Sequence, residues 1–154
     1  MATASDTAET SGRGSETIVH ASCVAIDGCG LLIVGASGSG KSGLALDLMA
    51  LGATLVSDDR VILSRAGNDL VASPPPAIVG LIEARGIGLL NARPHGPVTL
   101  GCVIDLDRTE TKRLPTHRQI VLLRASVTLL LRVDSRHFAS ALMQYCKKGR
   151  SSDR

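Results

Sequence analysis

Aromatic side chains are nearly missing from this chain. Of its 154 residues one is Phe (Phe138), one is Tyr (Tyr145) and none is Trp. The core must therefore be aliphatic, which suits a sheet packed against helices. Charge of one sign is scarce too. Against 14 Asp and Glu stand 17 Lys and Arg, a formal net charge of +3. No basic run is interleaved with aromatics, so no nucleic-acid partner is expected. No apolar run reaches the roughly 18 residues of a membrane span, so no membrane partner is expected either. The cysteines, Cys23, Cys29, Cys102 and Cys146, form no CxxC pair. They read as free thiols of a reducing compartment, not as a zinc site or a disulfide framework. The opening MATASDTAETSGRGSET lacks the apolar stretch of a secretion signal. Residues 1–15 read as a flexible tail and 16–150 as one domain, with the cytoplasm as the expected compartment.

What is present is a regular alternation of apolar runs and turn signals. TIVHASCVAIDGCGLLIVG reads as strand, turn, strand, with Asp27-Gly28 as the hairpin pair and His20 ahead of the first strand. Leu31 to Val34 is continuously apolar, as a strand covered on both faces is. After Lys41, the pairs Leu44/Leu48 and Ala45/Met49 place a helix, and Gly52 caps its end. Thr54 to Ser57 is a strand. VILSRAGNDLVAS is a hairpin around Gly67-Asn68-Asp69, and SPPPA is extended or turning. ARGIGLLNA reads as a loop, VTLGCVIDLD as a strand and TETKRLPTHR as a polar, mobile connector. IVLLRASVTLLLRV reads as a hairpin around Ala125-Ser126. A closing helix is capped by Asp134 or Ser135, with Phe138, Ala141, Leu142 and Tyr145 on its stripe. The fold class is α/β, a mixed sheet with flanking helices.

GASGSGKS, Gly35 to Ser42, matches the phosphate-loop pattern GxxxxGKS. Gly35, Gly38 and Gly40 let the backbone of Ala36, Ser37 and Ser39 fold around phosphates with N–H groups inward. The helix that follows adds free N–H groups and the positive end of its dipole. Lys41 reaches the outer phosphates, and the Ser42 hydroxyl ligates Mg²⁺. An apolar strand before and an amphipathic helix after give the pattern its expected context. The ligand is a nucleotide, ATP with Mg²⁺.

Asp58 and Asp59 follow the next strand. In a parallel sheet the carboxyl ends of strands converge on one edge, so the pair faces the nucleotide. One carboxylate holds Mg²⁺ and the other accepts a proton from an attacking hydroxyl; the alternative is a solvated pair ending a strand. Glu83 and Arg85 are open between two readings. Glu83 completes a metal shell and Arg85 neutralises a transferring phosphoryl group, or the two form a surface ion pair. His95, His117 and His137 read as ordinary surface residues.

The ordered series VHASC, GASGSGKS, LVSDD and IEARGIGLLNA resembles the catalytic domain of bacterial HPr kinase/phosphorylase, in the compact alphaproteobacterial form. The resemblance is strong from Ile18 to Ala92 and weaker beyond. It implies a phosphoenolpyruvate-carboxykinase-like P-loop core. It implies a transferase that uses ATP to phosphorylate a serine of HPr, the phosphocarrier of the sugar phosphotransferase system, and so regulates carbon metabolism. It also implies removal of that phosphate by phosphorolysis, and a hexameric homo-oligomer. By the same resemblance Asp58 is the acid/base and Asp59 and Glu83 lie on the magnesium side. His20 assists the aspartate, and Arg85 is the signature-loop arginine. After Asn91 the chain is shorter than the family's basic loop; Arg93, Arg108, Lys112 and Arg113 are the candidates to replace it. Two other functions fit the loop: a small-molecule P-loop kinase, and a nucleotide-sensing module that transfers nothing.

Overall fold

The computed structural model describes residues 15–151, so the tail expected at 1–15 lies almost wholly outside the described residues. In order come β1 (Glu16–Val19), β2 (Ala21–Ile26), β3 (Cys29–Val34), α1 (Lys41–Ala50), β4 (Thr54–Ser57), β5 (Val61–Ala66) and β6 (Asp69–Ser73). A 3-10 turn (Pro76–Ile78) leads to β7 (Leu81–Ala84), β8 (Gly88–Asn91), β9 (Val98–Thr109), β10 (Gln119–Leu122), β11 (Ala125–Arg132) and α2 (Phe138–Lys148).

Local chemistry sets the hairpins. Asp27 (φ 49°) and Gly28 (φ 79°) form a two-residue turn whose twist matches that of β2 and β3. Gly67-Asn68 does the same for β5 and β6, with Asp69 already in the strand and opposite Ala66. The last hairpin differs from the expectation. Its turn is Leu123 (φ 47°) and Arg124 (φ 67°), not Ala125-Ser126, which begin β11. ARGIGLLNA is not a loop: β7 and β8 pair antiparallel as a separate two-stranded sheet, with Ala84 opposite Gly88. His20 is not ahead of the first strand but at the corner between β1 and β2.

A nine-stranded mixed sheet carries the fold. Its first run is β1-β5-β6, antiparallel, joined to the start of β9 through Val98 and Thr99. Further along, β9 lies between β3 and β11, parallel to both. Antiparallel β2 and β4 extend the β3 side, and β10 flanks β11.

Period-two alternation buries both faces of the central strands. Leu32, Val34 and Val103 face the β1-β5-β6 meander, with Leu63, Leu70 and Ala72 from it. Leu31, Ile33 and Ile104 face the helices, against Leu44 and Leu48 of α1 and Leu142 and Met143 of α2. α1 ends as expected at Gly52 (φ 116°). The Ala53 N–H reaches the Leu48 carbonyl and the Gly52 N–H that of Met49, both 3.0 Å, a Schellman closure.

α2 departs from expectation twice. His137 is its N-cap with no side-chain bond, while Ser135 Oγ accepts the His137 N–H at 3.0 Å in the preceding turn. Its buried residues are Ala139, Leu142 and Met143; Ala141 is exposed, and Phe138 and Tyr145 are half-buried. The thiols of Cys29, Cys102 and Cys146 meet beneath this helix, and the bond to Cys102 pushes Cys146 up to about 12. Among the described residues no helix is long and apolar enough to cross a membrane.

Candidate active site

β3 delivers the chain to Gly35 at the carboxyl edge of the sheet, and α1 leaves from Gly40. The loop between them is tight. A Cβ at Gly35 would stand 2.6 Å from Ser39 Oγ, and Gly40 (φ 103°) holds a left-handed N-cap. The Ser39 N–H closes a turn on the Ala36 carbonyl at 3.0 Å. No side chain caps α1 and no acid lies in its first turn, so its amide ends remain open to an anion. Lys41 Nζ straps the loop, donating to the Gly35 carbonyl at 2.9 Å and the Ala36 carbonyl at 3.1 Å.

The two aspartates lie beyond β4, where the chain turns, and so escape the opposite-face rule of a strand. Asp58 is buried, 6% exposed. Its Oδ1 accepts the hydroxyls of Ser42 and Ser22, each at 2.7 Å, and its Oδ2 accepts the Glu83 N–H at 3.1 Å. One carboxylate thus ties the P-loop helix, β2 and β7 together. Asp59 turns outward in a left-handed conformation (φ 73°), its side chain 69% exposed and 3.9 Å from Arg60.

Lys41, Ser42, Asp59, Glu83 and Arg85 line one cleft of about 330 Å³, with Ser22 at its wall. Ser37, Gly38 and Gly40 form its phosphate-loop side. Asp58 lies behind the Ser22 and Ser42 hydroxyls. Glu83 and Arg85 are held by the β7–β8 hairpin, and no ion pair joins them among the described residues. His20 is the outlier. Its neighbour Ala21 donates to the Asp59 carbonyl at 3.3 Å, yet His20 is exposed and does not line the cleft.

Four polar residues at this end of the sheet escaped the sequence reading. Ser22 carries no signal in the sequence beyond its place in a strand. Asp105 and Asp107 lie within the second half of β9, and Arg132 closes β11; VIDLD, an apolar run ending in two acids, is the available signal for the aspartates. The Ala36 N–H faces both oxygens of Asp107 at 3.0 Å. Arg132 donates to the Leu106 carbonyl at 3.0 Å and to the Ser39 carbonyl.

The donor set suits a magnesium–nucleotide complex. Among the described residues no three His, Cys, Asp or Glu side chains gather as a self-sufficient metal site. Mg²⁺ beside phosphates needs only one or two carboxylates and a hydroxyl, and the Ser42–Asp58 pair supplies that chemistry.

A family model described as HPr Serine kinase C-terminal domain matches residues 13–98. The chain belongs to that family. HPr kinase/phosphorylase of Shouchella clausii is 49% identical over 76 residues, covering 49% of this chain and 24% of that protein. The protein of the same name from Mycoplasmopsis pulmonis is 47% identical over 73 residues, covering 47% and 24%. The chain thus spans about a quarter of the length of these curated relatives. The solved Hpr(Ser) kinase/phosphatase of Coxiella burnetii superposes with a TM-score of 0.72 over 85% of this chain and 94% of that one, at 24% identity. That likeness establishes the shared mixed α/β fold, which extends past the segment matched by the family model.

Proposed function

We propose that this chain is the catalytic part of an ATP-dependent serine protein kinase whose acceptor is the phosphocarrier HPr, and that it also removes the phosphate by phosphorolysis. The observation that carries the reading is the hydrogen-bonded set Ser42–Asp58–Ser22 beside a strapped phosphate loop. With the Glu83 N–H, that set fixes a buried carboxylate from three sides beside the loop, the placement that an acid/base or a metal-side group needs.

In the forward reaction the acceptor serine oxygen attacks the γ-phosphorus, ADP leaves, and the serine proton passes to Asp58. Lys41 leaves the Gly35 and Ala36 carbonyls for the outer phosphates, and the loop N–H groups bind the equatorial oxygens. Ser42, with Asp59 and Glu83 nearby, would hold Mg²⁺, which when bound neutralises phosphate charge. Arg85 faces the transferred group, and His20 assists Asp58 once the acceptor covers it. In reverse, inorganic phosphate attacks phosphoserine, pyrophosphate forms, and Asp58 returns the proton. The setting is a cytoplasmic homo-oligomer, a hexamer by resemblance, acting in carbon regulation.

One observation favours a second division of roles. The Ser42 bond favours a metal-side role for Asp58, and Asp59 is the exposed carboxylate of the cleft. Asp59 then takes the proton.

The test is phosphate transfer from ATP to purified HPr with Mg²⁺. Wild type is expected to form phosphoserine, and Lys41→Ala to lose it. Asp58→Asn should fall roughly 10²–10⁴-fold if Asp58 is the acid/base. If its loss is instead recovered at high Mg²⁺ while that of Asp59→Asn is not, the second division holds. Nucleotide binding without transfer in wild type would leave a sensor module.

A further inference from the structure

The phosphate loop is held from behind by side chains outside the segment matched by the family model. Asp107, just past the end of the β3–β9 pairing, presents both oxygens to the Ala36 N–H at 3.0 Å. Asp107 is itself exposed, so this bond competes with water. Its backbone is fixed by Asp105, 1% exposed, whose Oδ1 accepts the Asp107 N–H at 2.9 Å. At the other end of the loop Arg132 forks between two carbonyls. Its Nε donates to Leu106 at 3.0 Å, and a terminal nitrogen donates to Ser39. Asp134 lies 3.8 Å from the same guanidinium.

The geometry points to Asp107 and Arg132 as positioning residues that clamp the phosphate loop at Ala36 and at Ser39. A loop with glycine at 35, 38 and 40 has a wide conformational ensemble, and ordering it only on binding weakens affinity. The loop's own contacts are one turn and the Lys41 strap, and Lys41 must leave when phosphate arrives. The outside clamp remains. Asp107 is otherwise out of place, because an acid beside an anion site repels the ligand. Its presence is explained by the bond it accepts. Two of the five N–H donors of Arg132 are committed to these carbonyls.

This inference rests on reading Gly35 to Ser42 as a phosphate site, but its first test does not need a nucleotide. Amide hydrogen exchange would be followed across residues 35–41 in the nucleotide-free chain, with affinity for MgATP measured in parallel. Arg132→Ala removes the bonds to the Ser39 and Leu106 carbonyls and leaves the Asp107 acceptor in place. It is expected to speed exchange of the Ala36 and Ser39 amides about tenfold, with exchange in β2 and β3 unchanged, and to weaken MgATP about tenfold. Asp107→Ala should behave alike. Asp107→Asn keeps an acceptor oxygen and drops the charge, so it should match wild type in exchange and bind MgATP as tightly or more tightly. Unchanged loop exchange in Arg132→Ala would overturn the clamp, as would a rise spread evenly over the sheet. Weak binding by Asp107→Asn equal to that of Asp107→Ala would overturn it as well. Failure of wild type to bind MgATP, with the exchange pattern as expected, would sink the phosphate reading and leave the clamp standing.

Discussion

Leu123 and Arg124 both occupy the left-handed region, at about 1–2 kcal/mol for an ordinary L-residue. Arg65 offsets part of this by donating to the Leu123 carbonyl at 2.9 Å. Arg124 is exposed, so its replacement disturbs no packing. Arg124→Gly should stabilise the chain by about 0.5 kcal/mol, the relief of strain less the entropy returned to the unfolded chain. A higher urea midpoint at unchanged slope would show it. Ser22→Ala deletes one of the two hydroxyls on Asp58 Oδ1. About tenfold slower transfer is expected, with the urea midpoint lowered by no more than about 1 kcal/mol equivalent. The residues that the sequence revealed are those whose chemistry is contiguous. Lys41 and Ser42 declare themselves because the loop that uses them is the loop they sit in. Ser22 meets Asp58 across 36 positions, and Asp107 and Arg132 meet the loop across 71 and 93; no local pattern encodes such pairings.

At the scale of elements, the connector after β9 is closed by charge. Glu110 accepts the Thr111 and Lys112 N–H groups at 3.1 Å and pairs with Arg118. The Arg118 guanidinium holds the Glu110 carboxyl below its usual 4.5. A lowered folded pKa gives stability that is complete above the unfolded value and lost as pH falls through the folded one. The connector should therefore open to protease only below about pH 4.5, and Glu110→Gln should be open at neutral pH. Equal cleavage of both at pH 7 would deny Glu110 this role. The sequence announced elements wherever turn chemistry is explicit: Asp27-Gly28 and Gly67-Asn68 had no rival reading. Leu123-Arg124 carries no turn signal, and its register follows from β11 pairing with β9. β8 was hidden because three of its four residues are exposed, GLLN shows no apolar–polar alternation, and among the described residues it pairs with β7 alone.

For the whole molecule, β9 is the shared member. Its first residues pair with β6 and the rest with β3 and β11, so both apolar clusters depend on it. Leu32 and Ile104 lie in opposite clusters. Leu32→Ala and Ile104→Ala should each cost about 2–5 kcal/mol, in one transition common to far-UV dichroism and to Tyr145 fluorescence. Separated transitions would mean that the meander melts alone. The α/β class was legible because alternation and glycine punctuation are local. The curl of the sheet was not, since it depends on which edge of β9 receives β6 and which receives β11. That arrangement also sets a timetable on the ribosome. The phosphate loop is synthesised before its supports, since Asp107 lies 71 positions after Ala36 and Arg132 comes later still. Until β9 clears the exit tunnel, the nascent chain carries β3 with one apolar edge unpaired, the kind of surface that chaperones capture.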